Sequence, residues 1–182
     1  MSLVFFWSCG STKDNTYSLK EQQLNELKEL VASKSFKFIA ETAHPMQTYA
    51  VTQVTNALLR NTGNTAGTIF LTGRGDYLKV MGDTITAELS YFGELRFVSS
   101  IDPKDSGINF KGEAFNFKIT EHKKKKSLNL KFDVKSKNGL YNIVMQIYPS
   151  KRTNIVVNSS NRTSIRYSGE IVSLKDNEKT SE

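Results

Sequence analysis

The chain has 182 residues, with 25 Lys plus Arg against 18 Asp plus Glu, a formal net charge of +7 and a single cysteine. A chain of this length builds one domain that buries roughly 70% of the surface its unfolded form exposes. One cysteine excludes an intramolecular disulfide and every Cys/His zinc spacing, while the positive balance permits contact with phosphate-rich surfaces without selecting one.

At the N-terminus, Leu3 to Trp7 is an apolar run far shorter than the ~20 residues a membrane helix requires. It reads as the end of a secretory hydrophobic region, which assigns 1–8 to the remnant of a signal peptide, cut short because no Lys or Arg precedes the run. FWSC then has the layout of a lipoprotein leader: Ser8 is a small residue before Cys9, and Gly10 and Ser11 begin a flexible polar stretch, although Phe6 and Trp7 are bulkier than usual. Cys9 is therefore the expected lipid acceptor and 9–17 a tether. Each buried lipid methylene adds about 0.8 kcal/mol, so several acyl chains hold a domain on a membrane with no spanning helix. The expected location is the periplasm, on the outer membrane.

The segment 18–175 reads as one β-rich domain, with 176–182 a disordered tail. Ser18 followed by Glu21 has capping-box spacing, and Leu24, Leu27, Leu30 and Val31 share one face, which predicts an amphipathic helix over Leu19 to Ser33 packed on the domain's own sheet. From Phe36 the period becomes two. FKFIAETA, TYAVTQVTNALL, GTIFLTG, DYLKVMG, TITAELSYF, INFKG, AFNFKIT, SLNLKFDVK, LYNIVMQIY, TNIVVN and SIRYSGEIV read as strands, with Pro45, Pro103 and Pro149 between them.

Three turns set a register. Asn138-Gly139 suits a type I′ hairpin and pairs Val134 with Ile143, Phe132 with Met145 and Leu130 with Ile147. Centring the next loop on Lys123 and Lys124 pairs Ile119 with Leu128 and Phe117 with Leu130. Gly82-Asp83 suits a type II′ turn, pairing Val80 with Ile85 and Leu78 with Ala87, with Glu88 opposite Tyr77 on the polar face. A meander with one apolar face must curl over to bury it. The fold class is thus mainly β (α+β): an antiparallel barrel or sandwich of about 8–11 strands in largely sequential order, with the N-terminal helix covering an end or face.

The leader cysteine, LVASKSFKFIAETAHPM, YLKVMGDTITAELSYFG, SGINFKGEAFNFKITEHKKKK and VNSSNRTSIRYSGEI, in that order from about Leu30 to Ile171, resemble the domain of unknown function 4251 family. The resemblance implies an envelope lipoprotein of Bacteroidetes-type bacteria, and it implies location and fold rather than any activity or catalytic residue. Glu94 after YFG and the segment Thr55 to Gly67 depart from the family pattern.

Chemistry-bearing residues are sparse. His44 and His122 lie in separate loops with no HExxH spacing, no GxSxG is present, and Ser168 sits in a strand pattern with no base nearby in sequence. Asp76, Asp83, Glu88 and Glu94 surround one hairpin, the arrangement from which a carboxylate pair with separated pKa values would come. Gly73, Gly75 and Gly82 precede no helix and read as turn residues, and Arg74-Gly75-Asp76 carries little information as an adhesion triplet. Asp83-Thr84-Ile85 matches, weakly, a bacterial O-glycosylation pattern.

Two basic features remain. Lys123, Lys124, Lys125 and Lys126 form a hairpin tip that suits an anionic membrane surface, and Arg162 and Arg166 beside Tyr167 form a candidate anion site at an end of the sheet structure. Nucleic acid is not expected, because the aromatics Phe115, Phe117 and Phe132 are assigned to the core rather than to a stacking platform. No cofactor or metal is expected. The leading reading is a non-enzymatic, lipid-anchored envelope domain that binds a small apolar or amphipathic ligand within the sheet fold or contacts an envelope protein. The alternative is a structural or interaction module with a filled core, and a hydrolase-like enzyme comes third.

Overall fold

The computed structural model describes residues 13–46, 48–94, 96, 107–136 and 139–177. Cys9 and the leader lie outside the described residues. Nine strands form one antiparallel sheet: β1 (Ser35–Pro45), β2 (Ile69–Phe70), β3 (Tyr77–Met81), β4 (Thr84–Leu89), β5 (Ile108–His122), β6 (Ser127–Ser136), β7 (Gly139–Ile147), β8 (Arg152–Ser159) and β9 (Arg162–Ser173). Each strand from β3 to β9 pairs with the next, and β1 pairs with both β3 and β9, which closes an eight-stranded barrel. The two-residue strand β2 adds to β1 outside that ring. Of the two expected architectures, the barrel is the one formed.

Closure depends on a local irregularity in β1. Its register against β9 shifts between Ala40 and Thr42, and opposite this bulge a Cβ on Gly169 would lie 1.9 Å from the carbonyl oxygen of Ile39. Only a residue without a side chain lets the two backbones approach so closely.

The helix α1 runs over Lys13–Ala32, six residues longer at its start than the capping box predicts, so Ser18 lies within the helix rather than at its cap. Its predicted apolar stripe is correct. Leu24, Leu27 and Val31 are buried in the barrel core and Leu30 packs against it. The helix ends at Ala32, and Lys34, with a φ of 48°, turns the chain directly into β1, while its ammonium reaches the Asp83 carboxylate at 2.6 Å and lies over the Phe117 ring. Lys28 pairs with Glu121 at 2.9 Å. Helix α1 thereby covers the barrel end formed by the β3–β4 and β5–β6 turns.

Two further helices are present among the described residues, and the first corrects the strand reading. TYAVTQVTNALL forms helix α2 (Tyr49–Leu58), not a strand. Its β-branched residues invite an extended assignment, but Val51, Val54 and Leu58 recur at helical spacing, and the helical period prevails over propensity. Tyr49, Val54 and Leu58 are exposed. The short helix α3 (Leu174–Asn177) follows β9 directly where the tail was expected to begin.

The β3–β4 register is as predicted, Val80 opposite Ile85 and Leu78 opposite Ala87. The β6–β7 register differs by two: Val134 faces Tyr141, Phe132 faces Ile143 and Leu130 faces Met145. The β5–β6 register also slips, with Ile119 opposite Leu130 and a bulge between Phe115 and Lys118 at Asn116, whose φ is 55°. A shift of two preserves which face each side chain occupies, so the core reading of β6 and β7 survives. The β5 bulge corrects it on that strand: Phe115, assigned to the core, lies opposite Asp133 on the outer face and is exposed, as is Ile119, while Phe117 packs against the core and Phe132 is buried in it.

The barrel interior is filled. Phe36, Phe38, Leu78, Ile85, Leu130, Phe132, Ile143, Met145, Ile155 and Tyr167 are all at 0% exposure and belong to one contiguous cluster. Phe110 stacks on Tyr141 with ring centroids 4.5 Å apart, and Phe117 on Phe132 at 5.5 Å. Each such burial contributes on the order of 1.5–3 kcal/mol. With apolar side chains inside and Lys, Asn, Asp and Arg outside on β5–β9, the arrangement is the reverse of a membrane-spanning barrel. Among the described residues no helix is long and apolar enough to cross a membrane.

Candidate functional site

Alternation along the strands divides the sequence-predicted anion residues between two environments. Tyr167 points into the barrel and is fully buried, Arg162 is buried at the barrel end where β9 begins, and Arg166 is exposed on the outer face. The structure does not bring the three together. The basic tip is a 3₁₀ turn over Lys123–Lys125 closed by Lys126 at φ 46°, with the Lys125 backbone N–H donating to His122 Nδ1 at 3.3 Å. Its lysines 123, 124 and 125 are exposed.

Arg166 instead belongs to a groove of about 990 Å³ on the outer face of β5–β9. Two adjacent cross-strand rows build it. One reads Thr120, Asn129, Gln146, Asn154, Ser168, and the other reads Lys118, Lys131, Val144, Val156, Arg166, His44, each residue the register partner of the next. Cross-strand partners lie about 5 Å apart, so each row is a continuous band of side chains. Lys118, Lys131 and Arg166 line the groove, no carboxylate does, and none of the three forms a salt bridge among the described residues.

The next row on the same face is self-satisfied. Asp133 accepts from Asn142 Nδ2 at 2.6 Å and Asn116 Nδ2 at 2.8 Å, Asn158 Nδ2 donates to Asn142 Oδ1 at 3.3 Å, and Ser164 donates to Asn158 Oδ1 at 2.6 Å. These amide bonds, with the charge of Lys131 assisting, hold the Asp133 carboxyl below the usual aspartate range. That carboxylate is thus occupied by its own row.

Within the groove the fold joins two residues that are 124 positions apart in sequence: His44 Nε2 lies 3.2 Å from Ser168 Oγ, while His44 Nδ1 faces the carbonyl of Gly67 at 3.2 Å. A carbonyl only accepts, so Nδ1 carries a proton directed at Gly67. This imidazole beside Ser168 is absent from the sequence reading. The pair nevertheless lacks the rest of an acyl-transfer site. Ser168 Oγ donates to Asn154 Oδ1 at 2.8 Å, and β9 is paired on both sides, by β1 and β8, so its backbone N–H groups serve the sheet rather than an oxyanion hole.

The barrel end opposite α1 holds a second hollow of about 510 Å³, bordered by Arg74, Asp76, Glu88, Tyr91, Phe92 and Asn109 among others. Asp76 is buried, accepts the Ser90 backbone N–H with Oδ1, and has Arg74 Nε 3.9 Å from Oδ2. The Tyr91 hydroxyl contacts the Glu94 and Thr163 carbonyls at 2.9 and 3.0 Å, with the Arg162 guanidinium over its ring. Burial raises the Tyr91 hydroxyl above the ordinary tyrosine value, opposed by Thr163 and Arg162.

The four carboxylates near this hairpin do not converge as one group; only Asp76 and Glu88 border the same hollow. Asp83 is at the α1 end with Lys34, Glu88 accepts from the Tyr77 hydroxyl at 2.8 Å on the outer wall, and Glu94 accepts from the Thr48 backbone N–H at 3.2 Å at the start of α2. Asp76 enters the hollow from inside the barrel, with Oδ1 held by Ser90 and Oδ2 without a hydrogen-bond partner among the described residues, and Glu88 borders it from the outer wall, held by Tyr77. No group of three or more His, Cys, Asp or Glu residues among those described is placed to hold a metal.

Comparison with known proteins agrees with this architecture. A crystal structure of a DUF4251 family protein from Bacteroides eggerthii DSM 20697 is similar in fold, with a TM-score of 0.59 at 13% sequence identity, covering 87% of this chain and 93% of that one. No curated protein sequence matches. The profile of the family described as Domain of unknown function (DUF4251) matches residues 18–171, from within α1 to the end of the barrel, and the chain belongs to that family.

Proposed function

We propose that this protein is a non-enzymatic binding module of the cell envelope, anchored by lipid at Cys9 and working through its outer surface. The filled barrel carries this reading: the space an internal apolar ligand would occupy is taken by Phe36, Phe38, Phe132, Tyr141 and Tyr167. That favours the interaction module over a lipid-carrying barrel. The outer face of β5–β9, by contrast, displays Lys118, Lys131 and Arg166, which form no salt bridge among the described residues, beside an amide row. The leader pattern ending at Cys9 is what supports a periplasmic site on the outer membrane.

The test is expression with a full lipoprotein leader in a Bacteroides host, followed by membrane fractionation and mass spectrometry of co-purifying saccharide and protein. Wild type is expected in the membrane fraction and Cys9→Ser in the soluble one. A Lys118→Glu/Lys131→Glu/Arg166→Glu variant is expected to stay anchored but lose the enriched material. Soluble wild type removes the anchor, and enrichment indifferent to the triple variant removes the outer-surface reading.

A further inference from the structure

We infer that the β5–β9 groove binds an anionic saccharide, two of whose acidic groups are taken by Lys131 and Arg166 while a sugar ring lies on the valines between them. The inference rests on the outer-surface reading above and gives its ligand a chemical class. Lys131, Val144, Val156 and Arg166 are successive register partners on β6, β7, β8 and β9. At the usual strand separation the two cations are roughly 14 Å apart along the sheet. Two half-buried valines fill that interval and offer an apolar floor to the C–H face of a ring.

The neighbouring row supplies what sugar hydroxyls need. Thr120, Asn129, Gln146, Asn154 and Ser168 present amides and hydroxyls, which both donate and accept, and they run parallel to the cation–valine row along the whole groove. Lys118 and His44 extend the second row at its two ends. Among the described residues the lining has three Lys and Arg residues and no carboxylate, and none of the three cations is in a salt bridge, so an anion displaces no ion-paired partner.

Two other partners fit less well. An extended acidic peptide draws affinity from main-chain pairing at a sheet edge, and β5 to β9 are paired in an unbroken series. A lipid bilayer engages protruding basic segments, and the protruding one is the Lys123–Lys126 tip, whereas Lys131 and Arg166 sit within the groove.

The experiment is isothermal titration of the whole chain with tetragalacturonate and with a sulfated dextran oligomer, against neutral maltotetraose and phosphatidylglycerol vesicles. At least one anionic saccharide is expected to bind and maltotetraose not to. Lys131→Glu and Arg166→Glu are each expected to weaken binding about tenfold or more, and Lys111→Glu, on the outer face of β5 away from the groove, by less than twofold. Melting temperatures within a few degrees of wild type show that the variants fold. Failure of both anionic saccharides, equal binding of maltotetraose, an equal effect of Lys111→Glu, or binding to vesicles alone each overturns the inference. Failure here with continued loss of envelope material in the triple variant removes the saccharide and leaves the outer-surface reading intact.

Discussion

The hydroxyl of Tyr167, buried inside the barrel, donates to the backbone carbonyl of Ser90 at 2.8 Å. This bond ties β9 to the residue that follows β4, across the end of the barrel away from α1. Ser90 also gives its N–H to Asp76, so one residue is held by two buried side chains. Tyr167→Phe keeps the ring and leaves the carbonyl without its donor. It is expected to cost about 1–3 kcal/mol in urea denaturation with an unchanged m-value.

The same tyrosine sets a limit at alkaline pH. Burial first, then the charges of Asp76 and Tyr91, push its hydroxyl well above the ordinary tyrosine value, with Arg162 opposing. In the unfolded chain it ionises near pH 10, so above that pH the unfolded state binds fewer protons than the folded one. Stability from this group is complete below about pH 10 and is lost as pH rises further. Denaturation midpoints between about pH 8 and 11 are expected to fall less in Tyr167→Phe than in wild type.

Asp133 acts at the acid end. Because the amides of Asn142 and Asn116 lower its pKa, its contribution is present above the unfolded aspartate value and is lost as pH falls through the folded one. Stability measured from about pH 5 downwards is expected to decline more steeply in wild type than in Asp133→Asn. Equal slopes show that the row Asn116, Asp133, Asn142 adds nothing to folding.

At the β1 bulge, Gly169→Ala forces the Cβ into the Ile39 carbonyl, a backbone atom that moves only with its strand. A loss of about 1–3 kcal/mol or more is expected. Gly67→Ala is the control, since open space surrounds its Cβ position, and its melting curve is expected to match wild type. Similar effects from the two substitutions contradict the close approach of β1 and β9.

The contact between His44 and Ser168 makes the non-enzymatic reading testable. With the serine proton directed to Asn154 and the strand N–H groups engaged, p-nitrophenyl acetate is expected to be hydrolysed no faster by wild type than by Ser168→Ala, with no burst. A burst that Ser168→Ala abolishes establishes a nucleophile and overturns that reading.

Much of the barrel is legible in the sequence because period-two alternation fixes which face each residue takes, and that survives a two-residue slip such as Phe132 pairing Ile143 instead of Met145. Turn chemistry reaches less far. Gly82-Asp83 gives the β3–β4 register, whereas Asn138-Gly139 predicts a pairing two residues away from the one formed. Helix α2 is hidden by its β-branched residues. The groove is less legible still: Arg162, Arg166 and Tyr167 look like one cluster in sequence, yet a bulged strand sends Arg166 outward and the other two inward. Lys118 and Lys131 join Arg166 through the summed registers of four successive strand pairings, and His44 joins it only through the β1–β9 pairing that closes the barrel, which no local pattern encodes.

The claim that binding happens on the outer face while the interior stays closed is tested most directly by amide chemical shifts of ¹⁵N-labelled protein titrated with tetragalacturonate. The account predicts saturable shifts at Lys118, Lys131, Val144, Val156 and Arg166, with Phe38, Ile143 and Tyr167 unmoved. Shifts centred on Asp76, Tyr91 and Arg162, or on the interior residues, would contradict it.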